Sequence, residues 1–266
     1  MIDKLRVAQG EAAGLVERAT DDRLGLTKGA SGKRIASLTA KLDDLQARFA
    51  AEASRGVLIV VQAMDAGGKD GTIRTALGGL NPQGVRVTSL KVPAGREAIQ
   101  DYLWRIHAVC PGKGEIAILN RSHYEDVLVV RVHELVPETR WRARYRHIRE
   151  FERMLHDEGT TIVKLMLHIS ADEQRVRLQE RIDDPTKRWK FRLGDLDDRK
   201  LWDDFQTAYE DALTETSTDE APWYVIPADR NWARDVAVLE VLVHTFEKLD
   251  PQYPKADPKI IGVNVV

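Results

Sequence analysis

Val57-Leu58-Ile59-Val60-Val61-Gln62-Ala63-Met64-Asp65-Ala66-Gly67-Gly68-Lys69-Asp70-Gly71-Thr72 decides the fold of this chain. The apolar first half is too short to span a membrane, and it breaks at Gly-Gly-Lys before a helix-like pattern. Buried strand, glycine loop with one lysine, then helix is the order of a phosphate cradle. N–H groups freed by glycine point inward, the helix start adds partial positive charge, and lysine neutralises phosphate oxygens. The loop departs from the Walker A pattern at both ends: Ala63 stands where glycine is expected and Asp70 where Ser or Thr is expected. The missing hydroxyl normally touches Mg²⁺, so another oxygen has to do so, and Asp65 is the candidate. A plain Gly-Gly turn with a solvated lysine is the alternative, and the clean strand before it argues against that reading.

At 266 residues the chain suits one large domain or two small ones. Hydrophobic residues at 43%, charged residues at 31% and a net charge of −2 describe a soluble globular protein rather than a globally basic nucleic-acid binder. Cys110 is the only cysteine, so no intrachain disulfide forms; it reads as a small apolar filler, and a reducing interior is expected. The polar start Met1-Ile2-Asp3-Lys4-Leu5-Arg6 does not read as a signal peptide, and no apolar run reaches membrane length. The expectation is a cytoplasmic protein without membrane or nucleic-acid partners.

Working outward from the loop, residues 1–30 read as a loosely structured lead-in. An amphipathic helix begins near Lys33, with Ile35, Leu38, Leu42, Leu45 and Phe49 on one narrow stripe; packing on the sheet is the default reading and a coiled-coil seam the alternative. Helices are predicted over 72–79, 96–109, 137–157, 171–183 (capped by Ser170) and 232–249. Strands are predicted over 84–90, 115–120, 161–169 and 223–227. From Asp250 the tail is proline-rich and extended. Strands alternating with helices imply an α/β fold, a parallel sheet with helices on both faces. Ligands in such sheets sit beyond the carboxyl ends of the strands. Three exits therefore matter: Gln62 onward, Leu90 onward, where Lys91 is a candidate phosphate ligand, and Asn120 onward.

The third exit reads Asn120-Arg121-Ser122-His123-Tyr124-Glu125-Asp126-Val127-Leu128. Arginine there can grip phosphate bidentately, and a carboxylate can hold Mg²⁺ directly or through water. His123 and His133 are not spaced to share a metal on one helix face. Further on, Lys187, Arg188, Lys190 and Arg192 crowd a segment containing Trp189, after a helix already bearing Arg175, Arg177 and Arg181. A polyanion needs a track of cations rather than one clamp. A second basic run, Arg140, Arg142, Arg144, Arg146, Arg149 and Arg153, spreads around a helix and reads as a solvated face or a further polyanion contact.

Met64-Asp65-Ala66-Gly67-Gly68-Lys69-Asp70-Gly71-Thr72-Ile73, Asn81-Pro82-Gln83-Gly84, the Asn120–Leu128 segment, Asp184-Pro185-Thr186-Lys187-Arg188-Trp189-Lys190-Phe191 and Asp219-Glu220-Ala221-Pro222-Trp223-Tyr224-Val225-Ile226-Pro227-Ala228-Asp229 together resemble polyphosphate kinase family 2. The resemblance runs in order from about Leu42 to Pro254. It implies a P-loop kinase fold similar to thymidylate kinase, in one domain over 1–266. Within it, 1–53 would form an N-terminal helical extension, about 181–196 a helical lid (its core 181–191), and 250–266 an extended tail.

The implied activity is Mg²⁺-dependent, reversible transfer of a terminal phosphoryl group from inorganic polyphosphate to AMP and ADP, giving ADP and ATP, with Mn²⁺ able to substitute. Asp65 (also the metal ligand), Lys69 and Arg121 map to catalytic positions. Ala66, Gly67, Gly68, Lys69, Asp70, Gly71, Thr72, Lys91, Arg121, Arg181, Lys187, Arg188 and Lys190 are the expected phosphate or polyphosphate ligands. Asn120, His123, Glu125, Asp126 and Trp189 are the expected nucleotide ligands, with Trp189 either stacking on a base or pinning the lid. Asn120, Glu125 and Asp70 differ from the subgroup that phosphorylates ADP alone and match the one accepting both AMP and ADP. Relatives are oligomeric, so a homodimer or homotetramer is implied. The stripe of the N-terminal helix and the apolar end (Ile260, Ile261, Val263, Val265, Val266) are available for subunit contacts. The competing classes are an ATP-dependent nucleoside monophosphate kinase and a non-catalytic nucleotide-binding protein. Against the latter, the chain lacks an Asn-Lys-x-Asp guanine-reading motif.

Overall fold

In the computed structural model, which describes residues 1–76 and 78–265, five parallel strands form one sheet in the order β2-β3-β1-β4-β5. They are β1 (Gly56–Ala63), β2 (Val85–Ser89), β3 (Ile116–Asn120), β4 (Thr160–His168) and β5 (Trp223–Pro227). Every residue of β1 and β5 is buried, the near-continuous apolar run that a strand covered on both faces requires. The edge strand β2 is largely exposed.

From β1 the chain runs to one side of the sheet for β2 and β3, then crosses over for β4 and β5. The carboxyl ends of β1 and β3 therefore bound the crevice where the order changes direction. Register pairs Val61 with Asn120, so the two loops leaving these strands emerge side by side.

One face carries α2 (Lys28–Glu52), α3 (Lys69–Ala76) and α10 (Asn231–Leu249), and the other α5 (Val129–Val132), α6 (Glu138–Asp157) and α9 (Trp202–Thr216). Two short helices, α1 (Ile2–Leu5) and α4 (Trp104–His107), and two after β4, α7 (Ala171–Asp183) and α8 (Gly194–Lys200), complete the set. Ser170 caps α7 by accepting from the Glu173 N–H at 3.1 Å, and Gly159, at φ +91°, turns the chain from α6 into β4.

Several expectations are corrected. The lead-in is pinned rather than loose: Leu5, Val7, Ala13 and Leu15 are buried, and Arg6 forms an antiparallel bridge to Tyr224. The helix expected at 96–109 is broken into a 3₁₀ turn, Gly95–Ile99, and α4. Asp101 interrupts it because its carboxylate accepts from the Leu103 and Trp104 N–H groups and starts a new turn. The stripe Leu38, Leu42, Leu45 and Phe49 is buried within the chain, with α2 packed on α10 and Phe49 edge-on to Phe246 at 5.4 Å, so it is not free for subunit contacts. The helices over 194–216 were not anticipated. The helix expected over 72–79 is described as Lys69–Ala76; position 77 of that range, and Val266 of the apolar end, lie outside the described residues.

The second basic run is mostly paired: Arg142 with Glu138, Arg144 with Asp126, Arg146 with Glu150 and Arg149 with Glu215. No helix among the described residues is long and apolar enough to cross a membrane.

Candidate active site

The loop between β1 and α3 is held by contacts that require glycine. A Cβ on Gly67 would lie 2.5 Å from the Ala63 Cβ and 2.8 Å from the Met64 carbonyl. Gly68 sits at φ +97°, and a side chain there would collide with the Arg234 guanidinium. Ala66, at φ +60°, adopts the left-handed conformation without being glycine. The N–H groups of Lys69, Asp70 and Gly71 find no backbone acceptor among the described residues, as expected of a helix start facing an anion.

Two arginines that the sequence reading did not connect to the loop brace it from behind. Arg177 donates to the Ala66 carbonyl at 3.2 Å and the Ala228 carbonyl at 2.6 Å, tying the loop to the end of β5. Arg234, buried, is bound to Asp235 and Asn231.

Lys69 curls back over this loop and donates to the Ala63 carbonyl at 2.7 Å. Burial lowers its pKa from the ordinary value; Asp65 opposes that effect and Arg121 adds to it. Arg121 arrives from β3 in the left-handed conformation, φ +64°. Its guanidinium lies 3.5 Å from Asp65 and 4.0 Å from Glu125. Burial would lower the Arg121 pKa, but the carboxylates of Glu125 and Asp65 outweigh it and raise it.

Asp65, Lys69, Arg121 and Glu125 line one cavity of about 110 Å³ beside Ala63, Met64, Gln174, Asp198 and Tyr209. Burial raises the Glu125 pKa against the pull of Arg121 and Lys69. Gln174 donates to the Asp65 carbonyl at 3.1 Å. Asp198, on α8, is raised by burial and by the neighbouring Asp65 charge, and it pairs with His133 at 2.9 Å.

Asp70 is exposed on the first turn of α3. It accepts from Asn120 at 2.9 Å and pairs with Lys190 at 3.6 Å, so the loop helix, the third strand and the segment after α7 meet on one carboxylate. Burial would raise its pKa, but Asn120 and Lys190 together lower it.

The segment 184–192 is a polar outer turn. Lys187 pairs with Asp184 at 3.1 Å, Arg188 donates to the Ile182 carbonyl at 2.7 Å, and Arg181 lies 3.6 Å from Asp195. Asp184 is lowered to about 2, chiefly by the Thr186 hydroxyl and then by Lys187. Trp189 is 77% exposed, its indole N–H donating to the Thr186 carbonyl.

Of the expected ligands Asp65, Lys69, Arg121 and Glu125 line the cavity itself, and four others are held away from it by burial, by other partners or by their place on β2. His123 is fully buried against Glu152, and Asp126 is tied to Arg144 at 3.0 Å. Thr72 is fully buried, with its N–H already donated to the Gly68 carbonyl. Lys91 is exposed at the end of β2 and its carbonyl accepts from Arg105. Conversely Gln174, Asp198 and Tyr209 were missed. Asp195 and Asp198, one helical turn apart just after the basic segment, were the only local signal for them.

Among the described residues no group of three or more His, Cys, Asp or Glu forms a ready-made metal cage. The cavity's acidic donors, Asp65, Glu125 and Asp198, are all oxygen ligands. That set fits a hard divalent cation of the Mg²⁺ type, which takes one or two carboxylates and completes its shell with phosphate and water. Cys110, by contrast, has its thiol raised to about 11 by burial, unsuited to ligation or attack.

Comparison with known proteins agrees with this geometry. The sequence matches the polyphosphate kinase 2 family over residues 25–254. It is 61% identical to an AMP/ADP-polyphosphate phosphotransferase of Meiothermus ruber over 230 residues, 86% of each chain. It is 43% identical to an ADP-polyphosphate phosphotransferase of Rhodopseudomonas palustris, covering 96% of this chain and 93% of that one. The fold superposes on the crystal structure of polyphosphate kinase 2 from Arthrobacter aurescens TC1 with a TM-score of 0.92 at 40% identity, covering 96% of this chain and 92% of that one.

Proposed function

The chain belongs to the polyphosphate kinase 2 family, and on that premise we propose that it moves the terminal phosphoryl group of inorganic polyphosphate onto AMP and ADP, at the cavity between Lys69 and Arg121. The observation that carries this reading is the convergence of Lys69, Arg121 and Asp65, from two neighbouring strand ends, on one small cavity.

In the transfer, an oxygen of the nucleotide's terminal phosphate attacks the end phosphorus of polyphosphate. The bridging P–O bond breaks, and its electron pair stays on the oxygen of the shortened polymer. The attacking phosphate is already anionic, so no general base is required. Lys69 and the N–H groups at the start of α3 hold the transferring oxygens. The planar Arg121 guanidinium offsets charge spread over the equatorial oxygens of the transition state.

Asp65 is the residue that would hold Mg²⁺, or Mn²⁺ in its place; when bound, the ion neutralises phosphate charge and orients the groups in line. The cations of 181–190 supply a track for the rest of the polymer, and this segment, extended to about 196, serves as the lid of a single kinase-like domain. Acceptance of AMP as well as ADP rests on Asn120, Asp70 and Glu125 and on likeness to the Meiothermus ruber enzyme. A cytoplasmic site of action accords with one unbridged cysteine, and the exposed Ile260, Ile261, Val263 and Val265 suit a contact in a homo-oligomer.

Polyphosphate, Mg²⁺ and AMP supplied without ATP should yield ADP and then ATP, followed by chromatography. Absence of both products would remove this reading in favour of an ATP-dependent kinase or a nucleotide-binding protein.

A further inference from the structure

Behind the cavity, four polar side chains that touch no part of it are buried together. Lys164, on β4, is fully buried and donates to the Tyr124 hydroxyl at 2.9 Å, to Glu152 at 2.6 Å and to the Thr216 carbonyl at 2.7 Å. The Tyr124 hydroxyl in turn donates to the other Glu152 oxygen at 2.8 Å. His123 meets that same oxygen at 3.2 Å; since a carboxylate only accepts, the facing ring nitrogen donates. Burial lowers the Lys164 pKa; burial would raise that of Glu152, but Lys164 and His123 hold it below the ordinary value, and the 2.6 Å contact pairs the two.

Stability alone does not account for such a group. A buried ion pair is often no better than apolar residues of the same volume, because desolvation offsets the attraction. Its position is more telling. His123 and Tyr124 belong to the 3₁₀ turn His123–Asp126, which directly follows Arg121 and Ser122 and contains Glu125. Ser122 caps that turn and accepts from Gln62 of β1 at 3.1 Å. Arg121 holds φ +64°, a conformation that persists in a non-glycine residue only where surroundings over-determine it.

We propose that the buried Lys164–Glu152–Tyr124–His123 quartet is a positioning device: it clamps the turn after β3 to β4 and α6 and so fixes the aim of Arg121 and Glu125 into the transfer cavity. The four are positioning residues, not catalytic ones, and the inference rests on the assignment of Arg121 to phosphoryl transfer.

The test measures kcat, both KM values and the thermal midpoint for Tyr124→Phe, and for the paired apolar exchange Lys164→Met with Glu152→Leu. Arg121→Ala is run alongside. Tyr124→Phe removes one hydroxyl and should stay folded, while the double exchange should keep its thermal midpoint because no charge is left unpaired. Both should lose kcat roughly tenfold per folded molecule with nucleotide KM within about twofold. Tyr124→Phe placed on Arg121→Ala should cost less than about twofold more, since a group acting through Arg121 has little left to position. Full kcat per folded molecule in Tyr124→Phe, or an undiminished loss in the Arg121→Ala background, would overturn the inference. Should Arg121→Ala itself keep its rate, the transfer-site reading fails instead.

Discussion

Lys69 owes its low pKa first to burial and then to Arg121, with Asp65 pulling the other way. Its charge is therefore lost, as pH rises, below the ordinary lysine value of 10.5. The alkaline limb of kcat/KM, which reports the free enzyme, should fall below that value and move upward in Lys69→Arg, whose guanidinium does not titrate there. A limb that Lys69→Arg leaves in place would assign the titration elsewhere. At this scale Asp65, Lys69 and Arg121 were legible because each lies within a few residues of a strand end. Asp198, Gln174 and Tyr209 were not, because they enter the cavity from helices more than fifty residues downstream of β3. His123 and Asp126 misled for the opposite reason: they neighbour the cavity in sequence, but the 3₁₀ turn faces His123 inward and Asp126 is taken up by Arg144.

Among the elements, the sheet was the most readable part, since strands covered on both faces must be continuously apolar. Helices 194–216 escaped notice: α8 is polar, and the buried stripe of α9 is diluted by Ala208, Ala212 and Thr216. α2, expected as an extension, packs into the core against α10, so Phe49→Ala should cost about 3–5 kcal/mol in denaturant unfolding. A cost near zero would make α2 an appendage after all. The segment 184–192 predicts the reverse pattern. Arg188 is a surface residue whose guanidinium is bound, among the described residues, only to the Ile182 carbonyl, so Arg188→Ala should leave stability unchanged while raising KM for long polyphosphate more than for nucleotide. Equal effects on both substrates would argue against a donor track along this turn.

For the molecule as a whole, parallel topology brings the phosphate loop after β1 and the arginine after β3 together, with Asp70 linking both to the basic segment through Asn120 and Lys190. Net charge is −2, yet cations concentrate where phosphate is to be held, so attraction for a polyanion is local rather than global. The central claim is that Lys69 and Arg121 act on the same migrating phosphoryl group. The direct measurement is a double-mutant cycle on polyphosphate-to-ADP transfer with Lys69→Ala, Arg121→Ala and the pair. Each single change should lower kcat by roughly 10³ or more, and the pair little further, as for residues that work as one unit. Full multiplication of the two losses, or a near-normal rate in either single variant, would contradict it.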